Sequence, residues 1–267
     1  VVGYRVALQD SVLNALRWST SGGFGDNRPD PRSFQPHLAF GAQRPPVVTR
    51  AEHLGSGFTR AHLPEARLVG YENRREAVDS VVETVESSEA FVYAYWDGVD
   101  RVAHEFGLGE RYEAELVACD AMVDEMLNRL PPDTGLLVTA DHGQVHVGAQ
   151  MLDLPGAMAA LVERQSGEAR FRWLHGRPGT SEELLDVSRE AFGDVAWVVG
   201  VDEVLGVGWF GPVVTPAARA RLGDVALISR EAVGFTDPAE AFPIQLISRH
   251  GSLTADEMFV PLIGTVT

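Results

Sequence analysis

The sequence predicts an α/β fold with a mostly parallel central sheet and a small α+β insertion. Two helix-then-strand steps and the composition carry this prediction. The chain has 267 residues, 45% of them hydrophobic, which is enough to bury a core of its own. Because parallel strands need a helical crossover between them, repeated helix-then-strand steps indicate parallel pairing.

The first step covers residues 66–96. ARLVGY at 66–71 is a candidate strand, and between Asn73 and Ser88 valines recur at helical spacing among charged residues. The apolar run FVYAYW at 91–96 then has the character of a strand buried on both faces. This order predicts one helical crossover.

The second step begins with an apolar stripe between Arg111 and Leu130, which predicts another helix. Pro131 and Pro132 end that helix before the strand GLLVTA at 135–140. Sheets of this kind bind their ligands beyond the carboxyl ends of the strands. The residues that follow positions 96 and 140 are therefore candidates for a site.

Residues 151–223 predict an inserted α+β subdomain, so that the core is expected to comprise 1–150 and 224–267. The expected elements of this later half are helices at 156–164 and 181–191 and strands at 169–174, 195–199, 225–229 and 259–266.

Charge and composition exclude several classes of protein. The net charge of −16 repels phosphate backbones and anionic lipids, so we expect neither a nucleic acid duplex nor a membrane as partner. All 22 basic residues are arginine, which excludes the P-loop lysine and Schiff-base chemistry. The single cysteine, Cys119, excludes a disulfide framework and favours a cytoplasmic location.

Three segments place an acid, a histidine or both at a predicted strand end. Asp100 and His104 stand one helical turn apart, Asp141 and His142 follow the second strand, and His250 lies in the loop RHGSLTADEM. Carboxylate and imidazole ligands suit zinc or manganese, and five of them suit two adjacent cations. Taken singly, each residue is equally compatible with a solvated surface position or a helix cap. The other histidines are expected to be surface or core residues: His37, His53, His62, His146 and His175.

Together, YAYWDGVDRVAHEFG, TADHGQ and RHGSLTADEMFVPLI resemble the later motifs of the type I phosphodiesterase/nucleotide pyrophosphatase family of the alkaline phosphatase superfamily. The sequence departs from the family pattern at Ala103, where the family has glycine, and at Gln144, where it has methionine. The order of the motifs matches, and the resemblance covers most of the chain.

This resemblance implies an alkaline-phosphatase-like three-layer sandwich. It also implies that Asp100, His104 and His250 bind one metal ion and that Asp141 and His142 bind a second, with zinc as the usual occupant and manganese as an alternative. The expected activity is hydrolysis of phosphodiester or pyrophosphate bonds in a phosphorylated, nucleotide-like small molecule. The family's Thr or Ser nucleophile and one further Asp ligand precede a segment like VVGY, so we expect both upstream of Val1, in a chain truncated at its N-terminus.

Two alternatives stay open. One is a different reaction on the same fold, such as that of another phosphatase or a phosphomutase. The other is a truncated chain that binds metal and is catalytically inert. Two further loops are candidates for contact with the substrate or for simple packing: GSGFTRAHL, with Ser56 and Thr59, and GWFGP, with Trp209 and Phe210.

Overall fold

The computed structural model describes residues 3–6, 11–20, 28–87, 89–240 and 245–267. Its helices are α1 (Pro31–Phe34), α2 (Gly57–His62), α3 (Arg74–Glu86), α4 (Gly98–Phe106), α5 (Glu110–Arg129), α6 (Gly156–Leu161), α7 (Ser181–Phe192), α8 (Val201–Gly206), α9 (Pro216–Arg219) and α10 (Ala255–Met258). Its strands are β1 (Gly3–Val6), β2 (Ser11–Asn14), β3 (Ser19–Thr20), β4 (Pro46–Arg50), β5 (Arg67–Tyr71), β6 (Tyr93–Ala94), β7 (Gly135–Thr139), β8 (Val145–His146), β9 (Met151–Leu152), β10 (Val162–Glu168), β11 (Phe171–Gly176), β12 (Ala196–Gly200), β13 (Val225–Ser229), β14 (Gly234–Phe235), β15 (Ser248–Arg249) and β16 (Leu262–Val266).

The chain forms two compact units. The first comprises Val1–Ala15, Ser19–Arg28 and His142–Phe259, and the second comprises Leu16–Trp18, Pro29–Asp141 and Val260–Thr267. None of the described helices is long and apolar enough to cross a membrane.

The first unit is built on a seven-stranded sheet in the order β12-β13-β11-β10-β1-β2-β3, in which neighbouring strands run antiparallel. Strand β13, which lies between β12 and β11, is buried along its whole length. Val225 and Leu227 face one apolar cluster, whereas Ala226 and Ile228 face another, because successive side chains of a strand point to opposite faces. Both faces of this sheet are therefore covered.

The second unit contains a three-stranded parallel sheet in the order β5-β4-β6. Helices α3 and α5 cover it through Val78, Val82, Met122 and Met126, all of them buried. Asn73 begins α3, because its side-chain oxygen accepts the backbone N–H of Glu76. In this unit β7 pairs antiparallel with β16.

The prediction of a mixed α/β fold is confirmed, but the mostly parallel central sheet is not, because the largest sheet of the described residues is antiparallel. The parallel crossover expected for residues 66–96 occurs in the three-stranded sheet of β4, β5 and β6. Strands β9 and β14 also pair in parallel. The larger sheet was missed because β10, with the sequence VERQSGE, has no apolar run, although a two-residue connection folds it back onto β11 as a hairpin. The expected subdomain boundaries at 151 and 223 stay a prediction.

Candidate metal centre

Asp100 and His104 lie on α4, which begins directly after Asp97. Their four-residue spacing brings Oδ1 of Asp100 to 3.3 Å from Nε2 of His104, and the two side chains are 37% and 18% exposed. Ala103, at the position where the family pattern has glycine, is fully buried, so a small side chain is what this helix needs there. A carboxylate and an imidazole therefore stand side by side on one half-exposed face.

Asp141 follows β7 and lies near the same region of the second unit. Burial raises the pKa of Tyr95, and the negative charges of Asp141 and Asp100 raise it further. The pKa of neighbouring Tyr93 is also raised, by burial and then by Asp141. Asp100 on α4 and Asp141 after β7 thus act on the same tyrosine, and this gathering of negative charge is one that a divalent cation would neutralise.

His142 and His250 lie in the first unit, where their rings stack with centroids 3.5 Å apart and planes 8° from parallel. Nδ1 of His142 is 2.9 Å from the carbonyl oxygen of Gly143. Because a carbonyl oxygen only accepts hydrogen bonds, Nδ1 carries a proton, and Nε2 is the nitrogen that could ligate a metal ion. Two residues 108 positions apart in the sequence therefore present their imidazoles together.

Gly143 is required for a close approach rather than for the turn that its sequence context indicates. Its φ is not positive, but a Cβ atom there would lie 2.0 Å from the backbone oxygen of Asp256. Its N–H also donates to the carbonyl of Glu257 at 2.9 Å. Any larger residue would push α10 away from the backbone beside His142.

A buried ion pair holds the segment that follows His250. Nε and Nη2 of Arg170 donate to the two carboxylate oxygens of Glu257 at 2.7 and 2.6 Å, and the two side chains are 0% and 1% exposed. Glu257 also accepts the N–H of Ser252 and the hydroxyl of Thr254. Burial alone would raise the pKa of Glu257, but the hydrogen bonds from Arg170, Thr254 and Ser252 outweigh it and lower that pKa. The carboxylate is therefore charged and saturated with donors.

Thr254 and Glu257 have the spacing of a capping box but do not form one. Thr254 is the N-cap of α10, but its side chain accepts no backbone hydrogen bond of that helix. Its hydroxyl donates to Glu257 instead, at 2.5 Å. The glutamate serves Arg170, 87 residues away in the sequence, rather than the helix start.

A second group of potential ligands includes His53, which was predicted to be a surface or core residue. Glu52, His53 and Asp97 offer ligand atoms within 4.8 Å of one another. Arg50 already pairs with both carboxylates, at 2.9 Å from Glu52 and 3.3 Å from Asp97, so a built-in cation meets their charge. The signal that could have revealed this group is the acid next to His53 at the end of β4.

The hydroxyl groups of the 55–63 loop are engaged in local structure. Ser56 is the N-cap of α2 and accepts the backbone N–H of Thr59. Thr59 is buried, and its hydroxyl donates to the carbonyl of His53 at 2.7 Å. Trp209 and Phe210, in contrast, are 41% and 47% exposed.

His175 is a core residue, as expected. Its Nε2 lies 2.8 Å from the hydroxyl of buried Ser166. Burial, followed by the positive charge of Arg5, lowers the pKa of His175 to about 4. His175 is therefore neutral at physiological pH.

Comparison with protein families and solved structures places this site in context. The family described as type I phosphodiesterase / nucleotide pyrophosphatase matches residues 39–197 of the chain. No curated protein sequence matches significantly.

Two solved structures are similar in fold. Murine ectonucleotide pyrophosphatase/phosphodiesterase 5, as an inactive variant in complex with AMP, has a TM-score of 0.62 and 15% identity, over 84% of this chain and 60% of that one. Phosphonoacetate hydrolase from Sinorhizobium meliloti 1021, in complex with phosphonoformate, has a TM-score of 0.62 and 14% identity, over 98% of this chain and 73% of that one. The chain thus spans about 60% of the length of the murine protein. At this identity the likeness concerns the fold alone.

Proposed function

Because the chain belongs to the type I phosphodiesterase/nucleotide pyrophosphatase family, we propose that it is a metal-dependent hydrolase of phosphodiester or pyrophosphate bonds. One observation carries the proposal. The residues that match the family motifs are grouped in each unit, as an adjacent Asp100 and His104 beside Asp141 in one and as a stacked His142 and His250 in the other.

The ligand set follows the family pattern. Asp100, His104 and His250 would hold one divalent ion, and Asp141 and His142 would hold the second. Carboxylate oxygens and imidazole nitrogens are suitable donors for zinc, with manganese as the alternative. The stacked imidazoles of His142 and His250 would each offer one nitrogen ligand, His142 to one cation and His250 to the other. The donor chemistry therefore fits the metals that the family implies.

When bound, two such cations supply positive charge that stabilises the phosphoryl oxygens during in-line displacement. The chain's own residues prepare that environment. The Gly143 carbonyl fixes the tautomer of His142, and the pair of Arg170 and Glu257 anchors the segment that follows His250. No hydroxyl of the 55–63 loop is assigned as nucleophile, because Ser56 and Thr59 hydrogen-bond within that loop.

The proposed substrate is a phosphorylated small molecule of nucleotide type. The AMP complex of the murine relative supports this class, as does the phosphonoformate complex of the bacterial hydrolase. A second candidate reaction is phosphonate hydrolysis, which is favoured by the phosphonoacetate hydrolase structure that matches 98% of this chain.

The experiment compares hydrolysis of bis(p-nitrophenyl) phosphate, p-nitrophenyl phosphate and phosphonoacetate by the chain with added zinc. Preference for the diester supports the proposal, whereas preference for phosphonoacetate supports the second candidate. Substitution His250→Ala should abolish turnover without unfolding the chain, and His37→Ala, at an exposed histidine outside the ligand set, should not. Zinc binding without turnover of any of the three substrates would leave the inert, metal-binding alternative.

A further inference from the structure

An open groove of about 420 Å³ lies at the carboxyl ends of the three parallel strands of the second unit. Arg50 ends β4, Arg74 and Arg75 follow β5, and Trp96 and Arg101 follow β6. The carboxyl edge of a parallel sheet is where α/β folds usually bind ligands. The groove therefore occupies a position that favours binding.

Arginine dominates the charge of this groove, although the chain as a whole carries a net charge of −16. Four arginines and one acid, Glu72, line it. Arg50 and Arg74 are held in place by internal carboxylates, Arg50 by Asp97 and Arg74 by Glu115. They shape the groove more than they add to its net charge.

Arg75 and Arg101 supply the available charge. The side chain of Arg75 is 88% exposed, and its nearest acid, Asp79, is 3.8 Å away. Arg101 is exposed and forms no ion pair with any residue that the structure describes. Two guanidinium groups can therefore turn toward a ligand without breaking a strong internal pair.

Further hydrogen-bond donors face the same place. The first-turn N–H groups of Arg74 and Arg75 have no acceptor within α3, which Asn73 caps. Nε of Arg74 is buried and has no acceptor among the described residues, while its guanidinium lies 5.4 Å from the centre of the Trp96 ring. Backbone donors, side-chain donors and positive charge coincide in this groove.

We propose that the groove binds the phosphate group of a small molecule. The forked guanidinium groups of Arg75 and Arg101 match phosphate geometry, and the first-turn amides of α3 add donors and the positive end of the helix dipole. None of the five proposed metal ligands lines the groove. Binding there accordingly needs neither metal nor catalysis and is independent of the proposed function.

The test titrates the full 267-residue chain with inorganic phosphate and, separately, with AMP, by calorimetry in the presence of a metal chelator. The unsubstituted chain should bind one phosphate group saturably. The double variant R75Q/R101Q should bind at least about tenfold more weakly. The matched control R189Q/R219Q removes the same charge from two half-exposed arginines of the first unit and should bind like the parent chain.

The two ligands separate the possible sources of the phosphate. Tighter binding of AMP than of phosphate assigns the groove to a phosphorylated organic molecule, and equal binding assigns it to the phosphate group alone. Equal weakening in both double variants, or no saturable binding by the parent chain, would overturn the proposal. So would loss of phosphate binding in H250A under chelation. Because no metal is present, failure of the hydrolase proposal leaves this result unaffected.

Discussion

The buried pair of Arg170 and Glu257 provides the sharpest prediction about stability. Substitution Glu257→Gln keeps the size of the side chain but removes the charge that faces a fully buried guanidinium. Arg170 then faces uncharged acceptors: the carbonyl oxygens of Glu231 and Val233, each 2.8 Å from its Nη1, and the amide oxygen of the glutamine. Since removal of one partner leaves an uncompensated buried charge, we expect a loss of about 3–5 kcal/mol in the free energy of unfolding.

Urea unfolding followed by far-UV circular dichroism measures this loss, with E203Q as the control. Glu203 pairs with Arg189 at 3.5 Å, and both side chains are about half exposed, so E203Q should cost less than about 1 kcal/mol. A double-mutant cycle isolates the pair itself: the variant R170M/E257M should be more stable than the sum of its two single losses predicts, because neither charge is left alone.

A free energy of unfolding of E257Q that lies within about 1 kcal/mol of that of the parent chain would refute this reasoning. Strict additivity in the cycle would refute it equally, since it would mean that the two side chains do not depend on each other. Hydrogen exchange adds a local measure. Amides between Ser252 and Met258 should exchange faster in E257Q than in E203Q.

Two further predictions concern Gly143 and His175. G143A should lower the free energy of unfolding by about 2 kcal/mol or more, because its Cβ would lie 2.0 Å from the backbone oxygen of Asp256. The control G206A, which has nothing within 4 Å of its Cβ, should be neutral or stabilising. Thermal melts measure both variants, and equal losses of stability would contradict the steric reason. Folding lowers the pKa of His175 to about 4, so the unfolded chain binds a proton more readily than the folded chain does. The free energy of unfolding that is present above about pH 6.5 should therefore fall by roughly 3 kcal/mol as the pH approaches 4. Urea titrations of the parent chain and of H175N across this range measure the effect, and an unchanged pH dependence in H175N would contradict it.

Elements with a strong local signal could be predicted from the sequence. Helix α3 lies between its capping Asn73 and the end of its valine stripe, and β13 coincides with the predicted strand at 225–229. The adjacency of Asp100 and His104 likewise follows from helical spacing. In each case the pattern and the structure it specifies lie within the same few residues.

Features that depend on distant residues could not be predicted in this way. The polar strand β10 forms because β11 pairs with it, and nothing in VERQSGE indicates that partner. Glu257 stands three residues after Thr254, the spacing of a local cap, whereas its partner Arg170 is far away in the sequence. The need for glycine at 143 comes from the close approach of α10, which no local pattern encodes.

The proposed metal set is tested most directly by counting zinc. After dialysis against zinc and removal of loosely bound ions, the metal content per chain is measured by mass spectrometry for the parent chain, D100N, H250A and H37A. We predict that the parent chain and H37A retain zinc at one equivalent or more, and that D100N and H250A each retain less than the parent chain, because each lacks a ligand of the ion assigned to Asp100, His104 and His250. Equal zinc content in all four proteins would contradict the assignment of Asp100 and His250 as ligands.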